Sequence, residues 1–234
     1  MSIPILIGRG IVCGYGKRKI LNGIDVELYG GKIVALIGPN GGGKTTLLKA
    51  LFGAVPIWAG EVECEGARMV CPDPASMLRH GVVYLPQGKR VLGGMTVLEN
   101  LEILSAALGD LVTPRSQLLE ILEMFPDLRP RLHEKAGNLS GGQQQEVALA
   151  RAFILEPKVM LLDEPSLGLS RQMARRVYER IEWAAKTRGA SILIAEQEIR
   201  EVLRISDRAF VLRNGKVFVQ EPSNVVLDDN AKRE

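Results

Sequence analysis

Residues 33–46 read IVALIGPNGGGKTT, and this stretch decides the fold. The apolar run Ile33 to Ile37 precedes a loop with the pattern G-x-x-x-x-G-K-[ST], and a helical pattern begins at Leu47. Glycines let successive backbone N–H groups approach phosphate oxygens, and the start of a helix adds a partial positive charge. The stretch therefore predicts a buried strand, a phosphate-binding loop and a helix.

Side chains at the end of this loop suit nucleoside triphosphate chemistry. Lys44 would neutralise the β- and γ-phosphates, and the Thr45 hydroxyl would hold Mg²⁺. A second apolar run ends in Asp163, which would reach the same metal, and Glu164 is placed to orient or deprotonate an attacking water. These residues predict a nucleoside triphosphate and Mg²⁺ as ligands. The expected nucleotide-binding residues of the loop are Gly38, Pro39, Asn40, Gly41, Gly42, Gly43, Lys44, Thr45 and Thr46.

Other short apolar runs, at residues 82–85, 159–162 and 192–195, alternate with helical patterns. Nearly continuous apolar runs of this length are typical of strands that are covered on both faces of a parallel sheet. Their alternation with helices indicates an α/β fold.

Two regions depart from this alternation. The first forty residues predict antiparallel strands, with residues 26–28 and the strand from Ile33 flanking a turn at residues 29–32. From about residue 96 to 132 the pattern is helical, as in an insertion. Near the C-terminus Asn214-Gly215 predicts a hairpin.

Composition limits the class of protein. The 234 residues carry 30 Lys+Arg and 27 Asp+Glu, and the longest apolar runs fall well short of the roughly 20 residues that a membrane span needs. The slight positive charge does not imply nucleic acid, and the basic cluster of the segment 171–180 is interpreted as a solvated helix face. Three cysteines argue against a disulfide partner and fit a reducing, cytoplasmic compartment.

The segment Leu139-Ser140-Gly141-Gly142-Gln143 begins another helix. Ser140 can cap it, and the two glycines open its first amides to an anion. By itself this segment is better explained as an ordinary helix start with a serine cap and flexible glycines.

The order and spacing of these three motifs resemble those of the ATP-binding cassette (ABC) ATPases. The resemblance implies a P-loop NTPase with a RecA-like core, an N-terminal antiparallel β subdomain and an inserted α-helical subdomain. The chain would form one domain, with residues 1–90 and 141–234 as the nucleotide-binding core and about 91–140 as the helical subdomain. Tyr15 matches the aromatic residue that stacks on adenine, and Gln87 matches the glutamine that contacts Mg²⁺ and the membrane partner.

The resemblance also implies partners. In the family a second ABC ATPase subunit, identical or different, faces the first, so Ser140, Gly141, Gly142 and Gln143 would bind the ATP held by the other subunit's loop. Transmembrane permease subunits would dock on the helical subdomain. The chain would lie on the cytoplasmic face of the inner membrane.

Two positions depart from the commonest family pattern, and one of them is Ser170, which stands where aspartate is commoner. Gln197 stands where most members have a histidine that contacts the γ-phosphate, so we expect Lys44, Glu164 and Gln197 to be the catalytic residues. Glu196-Gln197 and the segment 165–169 resemble the uptake branch for branched-chain amino acids and urea or amides. The alternatives are a lipid or lipopolysaccharide exporter, a soluble iron–sulfur-assembly cassette, and an ATP-gated clamp that does not hydrolyse.

Overall fold

The computed structural model describes residues 3–69, 71–88, 91–107, 115–197 and 199–226. They form two β-sheets with helices packed against the larger one. The elements, in chain order, are β1 (Pro4–Tyr15), β2 (Arg18–Tyr29), β3 (Ile33–Ile37), α1 (Lys44–Leu51), β4 (Ile57–Cys64), β5 (Ala67–Met69), α2 (Pro74–Arg79), β6 (Val82–Leu85), α3 (Val97–Ala107), α4 (Arg115–Met124), α5 (Gly141–Phe153), β7 (Val159–Asp163), α6 (Arg171–Arg188), β8 (Ser191–Glu196), α7 (Ile199–Ile205), β9 (Arg208–Arg213) and β10 (Lys216–Pro222).

The larger sheet has the strand order β10-β9-β3-β8-β7-β6, and β10 runs antiparallel to β9 while the other neighbours are parallel. Every residue of β3, β7 and β8 is buried, as expected for apolar runs covered on both faces. The predicted strands at 33–37, 82–85, 159–162 and 192–195 are confirmed, and so is the α/β fold.

Side chains of β3 alternate between two apolar clusters. Ile33, Ala35 and Ile37 belong to the cluster shared with α5 and α6, whereas Val34 and Leu36 belong to the cluster shared with α1 and the smaller sheet. The period of two follows from the pleat of a strand. The sheet therefore separates two cores, and the loops at its carboxyl ends lie between them.

The smaller sheet has the strand order β2-β1-β4-β5 and is antiparallel. Here one prediction is wrong: β2 and β3 do not form a hairpin. The turn at 29–32 exists, since Lys32 N–H donates to the Tyr29 carbonyl (3.1 Å), but it leads the chain from one sheet into the other. The reason is burial, because β3 has no solvent-facing side to place at the edge of an antiparallel sheet.

The C-terminal hairpin is confirmed. β9 pairs with β10 across Asn214 and Gly215, which both have positive φ (49° and 69°). A Cβ on Gly215 would lie 1.9 Å from the Ile20 carbonyl oxygen, so the turn also packs on β2.

Helices α3 and α4 lie between β6 and α5 in the chain, where the helical insertion is predicted. Residues 108–114 of the predicted helical segment lie outside the described residues. Pro126 ends the second helix and begins a 3₁₀ turn, Pro126–Arg131. Among the helices of the described ranges, none combines the length and apolar character that a membrane span requires.

The arginines of α6 form a mainly solvated face, as predicted, since Arg171, Arg175 and Arg176 are exposed. Two of the cluster also contact the segment before α5. Arg176 pairs with Asp127 (3.0 Å), and the guanidinium of Arg180 lies 5.3 Å from the ring centroid of Phe125. Arg175 remains 81% exposed in its side chain and pairs with Glu179 along the helix.

Candidate functional site

The glycine-rich loop between β3 and α1 lies tightly against its neighbours. Gly38 has a φ of 150°, and a Cβ there would lie 2.0 Å from the Leu212 carbonyl oxygen. Gly43 has a φ of 109°, and a Cβ there would lie 2.7 Å from a methyl carbon of Leu21. Only glycine fits both positions without displacing a neighbour.

Lys44 begins α1 and is 5% exposed. Its Nζ donates hydrogen bonds to the carbonyl oxygens of Gly38 (2.7 Å) and Pro39 (3.2 Å). These bonds fold the side chain back onto the loop. A full positive charge and the start of a helix therefore lie together, which is the electrostatic setting that binds phosphate.

Asp163 ends β7 beside the second residue of α1. Its Oδ1 accepts a hydrogen bond from the Thr45 hydroxyl (3.0 Å), and its Oδ2 accepts one from the Tyr84 hydroxyl (3.2 Å). Burial raises the pKa of Asp163, and these two hydrogen bonds oppose that rise. The structure thus brings a hydroxyl and a carboxylate together, and Mg²⁺ prefers such oxygen ligands.

Glu164 lies between two glutamine side chains. Gln87 Nε2 donates to its Oε2 and Gln197 Nε2 donates to its Oε1, both at 2.6 Å. The backbone holds the carboxylate there, because Glu164 has a φ of 47° and its N–H donates to the Ala195 carbonyl (2.8 Å). The sequence indicates these three residues separately, and the structure places them in direct contact.

Most of these groups line one cavity of about 450 Å³, here called the P-loop cavity, and Asp163 contacts its wall through the Thr45 hydroxyl. Its size is in the range of cavities that hold cofactor-sized ligands. Its lining residues are Arg18, Ile20, Asn40, Gly41, Gly43, Lys44, Thr45, Thr46, Gln87, Glu164 and Gln197.

The segment 139–143 begins α5 as a capped helix. Gln143 N–H donates to Ser140 Oγ (3.4 Å), and Ser140 N–H donates to Gln143 Oε1 (2.9 Å). This reciprocal pair is a capping box. The helix therefore starts at Gly141, as the helix-start interpretation predicts.

Ser140, Gly141, Gly142 and Gln143 line a different cavity, of about 590 Å³, here called the α5 cavity. The loop after β7 also lines it, through Gly168, Leu169 and Ser170. Its other walls carry the Arg176–Asp127 ion pair and Glu146. Burial and the nearby charge of Asp127 raise the pKa of Glu146.

The predicted site residues therefore fall into two groups. The first group gathers at the carboxyl ends of β3, β7 and β8 and consists of the glycine-rich loop together with Gln87, Asp163, Glu164 and Gln197. The second group lies at the α5 cavity and consists of Ser140, Gly141, Gly142 and Gln143. Tyr15 is 48% exposed at the end of β1 and is not among the residues that line the P-loop cavity.

Three described residues of the site, Arg18, Ile20 and Tyr84, are missing from the sequence-based prediction. Arg18, the register partner of Tyr15, lines the P-loop cavity, and Tyr84 donates to Asp163. The end of the β1–β2 hairpin could have indicated Arg18, because it follows the predicted aromatic by three residues. The contact of Tyr84 depends on its strand lying beside β7, which the sequence does not show.

The fold and this geometry define a class. A buried strand, a glycine-rich loop and a helix, with lysine and threonine beside a buried aspartate, are the site of a P-loop nucleoside-triphosphate-binding protein.

Known proteins give the family. The ABC transporter family matches residues 21–167. The high-affinity branched-chain amino acid transport ATP-binding protein BraG of Pseudomonas aeruginosa is 37% identical over 224 residues, which are 94% of this chain and 94% of BraG. The probable branched-chain amino acid transport ATP-binding protein LivF of Archaeoglobus fulgidus is 36% identical over 215 residues, 92% of this chain and 91% of LivF.

A solved structure is also similar. The crystal structure of the ADP conformation of MJ1267, an ATP-binding cassette of an ABC transporter, matches with a TM-score of 0.86 at 30% identity. The match covers 98% of this chain and 97% of that one. The chain belongs to the ABC transporter family and is an ATP-binding, ATP-hydrolysing subunit of a transporter, which confirms the family resemblance of its motifs.

Proposed function

We propose that this chain powers the uptake of branched-chain amino acids, or of related amides, by hydrolysing ATP against separate permease subunits. The solute class is supported by BraG and LivF, which are named for branched-chain amino acid transport and match over more than nine-tenths of the chain. The observation that carries the hydrolytic step is the Glu164 carboxylate, held by two amides beside the P-loop.

ATP would occupy the P-loop cavity. The backbone of Gly38 to Thr46 would surround its phosphates, and Lys44 would exchange its two carbonyl acceptors for the more strongly accepting phosphate oxygens. Tyr15 would stack on the adenine from the end of β1. Arg18, opposite Tyr15 in the β1–β2 hairpin, would add a positive charge to the same wall.

Magnesium fits the donor set of this cavity. The Thr45 hydroxyl and the Asp163 carboxylate lie 3.0 Å apart and are hard oxygen ligands, and Gln87 would add its side-chain oxygen. When bound there, Mg²⁺ would neutralise charge on the phosphates of ATP.

Glu164 would act as the general base. Its two amide donors fix the carboxylate in one orientation, which suits a group that must accept a proton from an attacking water. Gln197 would hold Glu164 and contact the γ-phosphate through its amide. A glutamine amide can donate a hydrogen bond, but it does not carry the charge of a histidinium or relay a proton.

A second ABC ATPase subunit would complete the site. The capped start of α5, with Ser140, Gly141, Gly142 and Gln143, lines the α5 cavity and not the cavity that contains the lysine of its own chain. Two subunits facing each other would place this helix start over the ATP of the partner. ATP would then hold the two subunits together, and hydrolysis would release them.

Residues 1–90 and 141–234 would form the nucleotide-binding core, and about 91–140 the helical subdomain that receives the permeases. In this arrangement the chain would lie on the cytoplasmic face of the inner membrane.

The first test is steady-state ATPase activity of the purified chain with Mg²⁺, for the wild type, Glu164→Gln and Ser191→Ala. Ser191 is buried at the far end of β8, where its hydroxyl donates to the Tyr29 carbonyl (2.7 Å), so it controls for loss of a buried hydrogen bond. We expect Glu164→Gln to lower kcat by about 10³-fold, the scale of a lost general base, and Ser191→Ala to preserve kcat. Normal turnover by Glu164→Gln would contradict the proposed role.

The solute class needs its own test. Cells that lack this chain should lose uptake of labelled leucine, isoleucine and valine, and the wild type should restore it while Glu164→Gln should not. If the wild type hydrolyses ATP and restores uptake of none of them, the amino acid proposal is wrong while the ATPase assignment stands.

A further inference from the structure

Strand β8 ends in a buried carboxylate that has no role in the proposed chemistry. Glu196 is 2% exposed, and the residue before it, Ala195, pairs with Asp163 of β7. Burial raises the pKa of Glu196. Removing a carboxylate from water is costly, and its retention in a core position calls for specific hydrogen-bond partners.

The partners of Glu196 come from two segments of the site. Its Oε1 accepts hydrogen bonds from the N–H (3.0 Å) and the hydroxyl (2.7 Å) of Ser166, in the loop that follows Glu164. Its Oε2 accepts a hydrogen bond from the N–H of Gln197 (3.2 Å). One carboxylate therefore joins the loop after β7 to the first residue after β8.

Helix α6 fixes this junction from the other side. The Tyr178 hydroxyl donates to Ser166 Oγ (3.1 Å), and Tyr178 is 4% exposed. Ser166 thus accepts from one side chain while it donates to another, so its orientation is determined by both.

These contacts form a closed ring with the catalytic pair. Gln197 Nε2 donates to Glu164 Oε1, and the N–H of Glu164 donates to the Ala195 carbonyl. The two segments that carry Glu164 and Gln197 are thereby connected twice, once through the backbone of β8 and once through the Glu196 side chain.

We propose that Glu196 is a positioning residue for ATP hydrolysis, which ties the loop after β7 to Gln197 and so fixes the Gln197 amide against the Glu164 carboxylate. The inference rests on the roles proposed above for Glu164 and Gln197. It does not involve nucleotide binding, because Glu196 touches neither the glycine-rich loop nor Lys44 in the contacts that hold it.

Glu196→Gln is the sharpest variant, because it keeps the shape of the side chain. Its amide oxygen can still accept from Ser166, but its NH₂ group then faces the N–H of Gln197, which is also a donor. We expect kcat for ATP to fall about tenfold while KM for Mg-ATP stays within about twofold, as for a small misplacement of a catalytic group.

Three measurements separate positioning from a structural role. In a Gln197→Ala background, Glu196→Gln should lower kcat by less than about twofold, because the group it positions is gone. Hydrogen exchange of the protein without nucleotide should quicken at the amides of Ser166 and Gln197. Ser191→Ala, at the other end of the same strand, should change neither kcat nor these exchange rates.

Ser166→Ala provides a second variant, since it leaves the Glu196 charge in place and removes one donor. It should lower kcat by a smaller factor than Glu196→Gln, again at nearly constant KM. Failure of Glu196→Gln to fold would therefore leave the test intact through Ser166→Ala and its combination with Gln197→Ala.

Defined outcomes overturn the proposal. An equal fall in kcat in both Gln197 backgrounds, a rise of KM in parallel, or the same fall in Ser191→Ala would make Glu196 a structural residue. If Gln197→Ala itself leaves kcat unchanged, the proposed role of Gln197 fails and the inference fails with it. If Gln197→Ala lowers kcat and neither Glu196→Gln nor Ser166→Ala does, the inference alone is wrong.

Discussion

The P-loop cavity and the α5 cavity differ in how their polar groups are held. At the P-loop cavity, the side chains of Lys44, Asp163 and Glu164 each form hydrogen bonds with at least two groups of the described residues. In the α5 cavity, the helix start is capped by its own Ser140 and Gln143, and the walls carry an exposed ion pair. The first cavity fits the proposed chemistry, and the second fits the proposed contact with a partner subunit.

The largest effect should come from the P-loop side. When ATP binds, the Lys44 ammonium would exchange its two carbonyl acceptors for phosphate oxygens, and each of these hydrogen bonds is worth about 1.5 kcal/mol. Lys44→Ala removes both bonds, so ATP affinity should fall roughly 100-fold. Titration calorimetry with ATP measures this directly. Lys32→Ala, which removes an exposed lysine paired with Asp207, is the control and should bind normally. Equal affinities for Lys44→Ala and wild type would remove Lys44 from the site.

A smaller effect, of a different kind, is expected at the α5 cavity. A Cβ on Gly141 would meet no atom within 4 Å, so Gly141→Glu should fold, and a carboxylate at this first helical position stabilises the helix. The same charge would repel a phosphate of the partner's ATP. We expect turnover to fall about tenfold, ATP affinity to stay unchanged and thermal stability to rise slightly.

The matched control for that variant is Gly141→Ala, which adds a methyl group without charge and should keep most of the turnover. A Gly141→Glu chain with normal turnover would show that no phosphate approaches this helix start.

The sequence predicts the P-loop side far better than the contacts between segments. The strand, loop and helix from Ile33 to Leu51 are a local pattern, and the structure has them where the residues indicate. The turn at 29–32 is also local, but the pairing of the strands on either side is not. The pairing depends on which strands can be buried on both faces. The predicted hairpin of β2 and β3 is therefore wrong.

Motifs in the sequence identify functional residues but not the contacts between them. Gln87, Glu164 and Gln197 could be identified from their motifs, but their two contacts of 2.6 Å depend on the packing of three separate loops. Arg18 and Tyr84 have no motif of their own, and the Glu196-Gln197 pair indicates a branch of the family but no role for Glu196. Their roles follow from strand register, which sequence patterning of a single chain does not determine.

Protonation of Glu146, on the wall of the α5 cavity, should make the stability of the chain depend on pH. The pKa of Glu146 is raised in the folded chain, so the native state binds the proton more tightly than the unfolded state. This contribution to stability is present below the unfolded pKa, about 4.3, and is lost as pH rises through the raised pKa. Urea unfolding of Glu146→Gln should therefore depend less on pH, by at most about 1.4 kcal/mol per pH unit.

The comparison for Glu146→Gln is the wild type between pH 4 and 8. Parallel curves for the two proteins would show that Glu146 titrates alike in the folded and unfolded states.

The smallest effect is expected for the ion pair on the wall of the α5 cavity. Arg176 and Asp127 have side chains that are 44% and 58% exposed, so Arg176→Ala should cost less than about 1 kcal/mol of unfolding free energy. Raising the salt concentration should reduce the difference further. A loss of several kcal/mol would show that this pair, and not apolar packing, holds the segment before α5.

Sedimentation of Glu164→Gln with and without ATP tests the division into two half-sites most directly. With the proposed general base neutralised, the chain should be monomeric without nucleotide and dimeric with ATP, at one ATP per chain. Gly141→Glu in the same background should need a higher protein concentration to form the dimer. A chain that binds ATP through Lys44 and remains monomeric at every protein concentration would contradict completion of the site by a second copy.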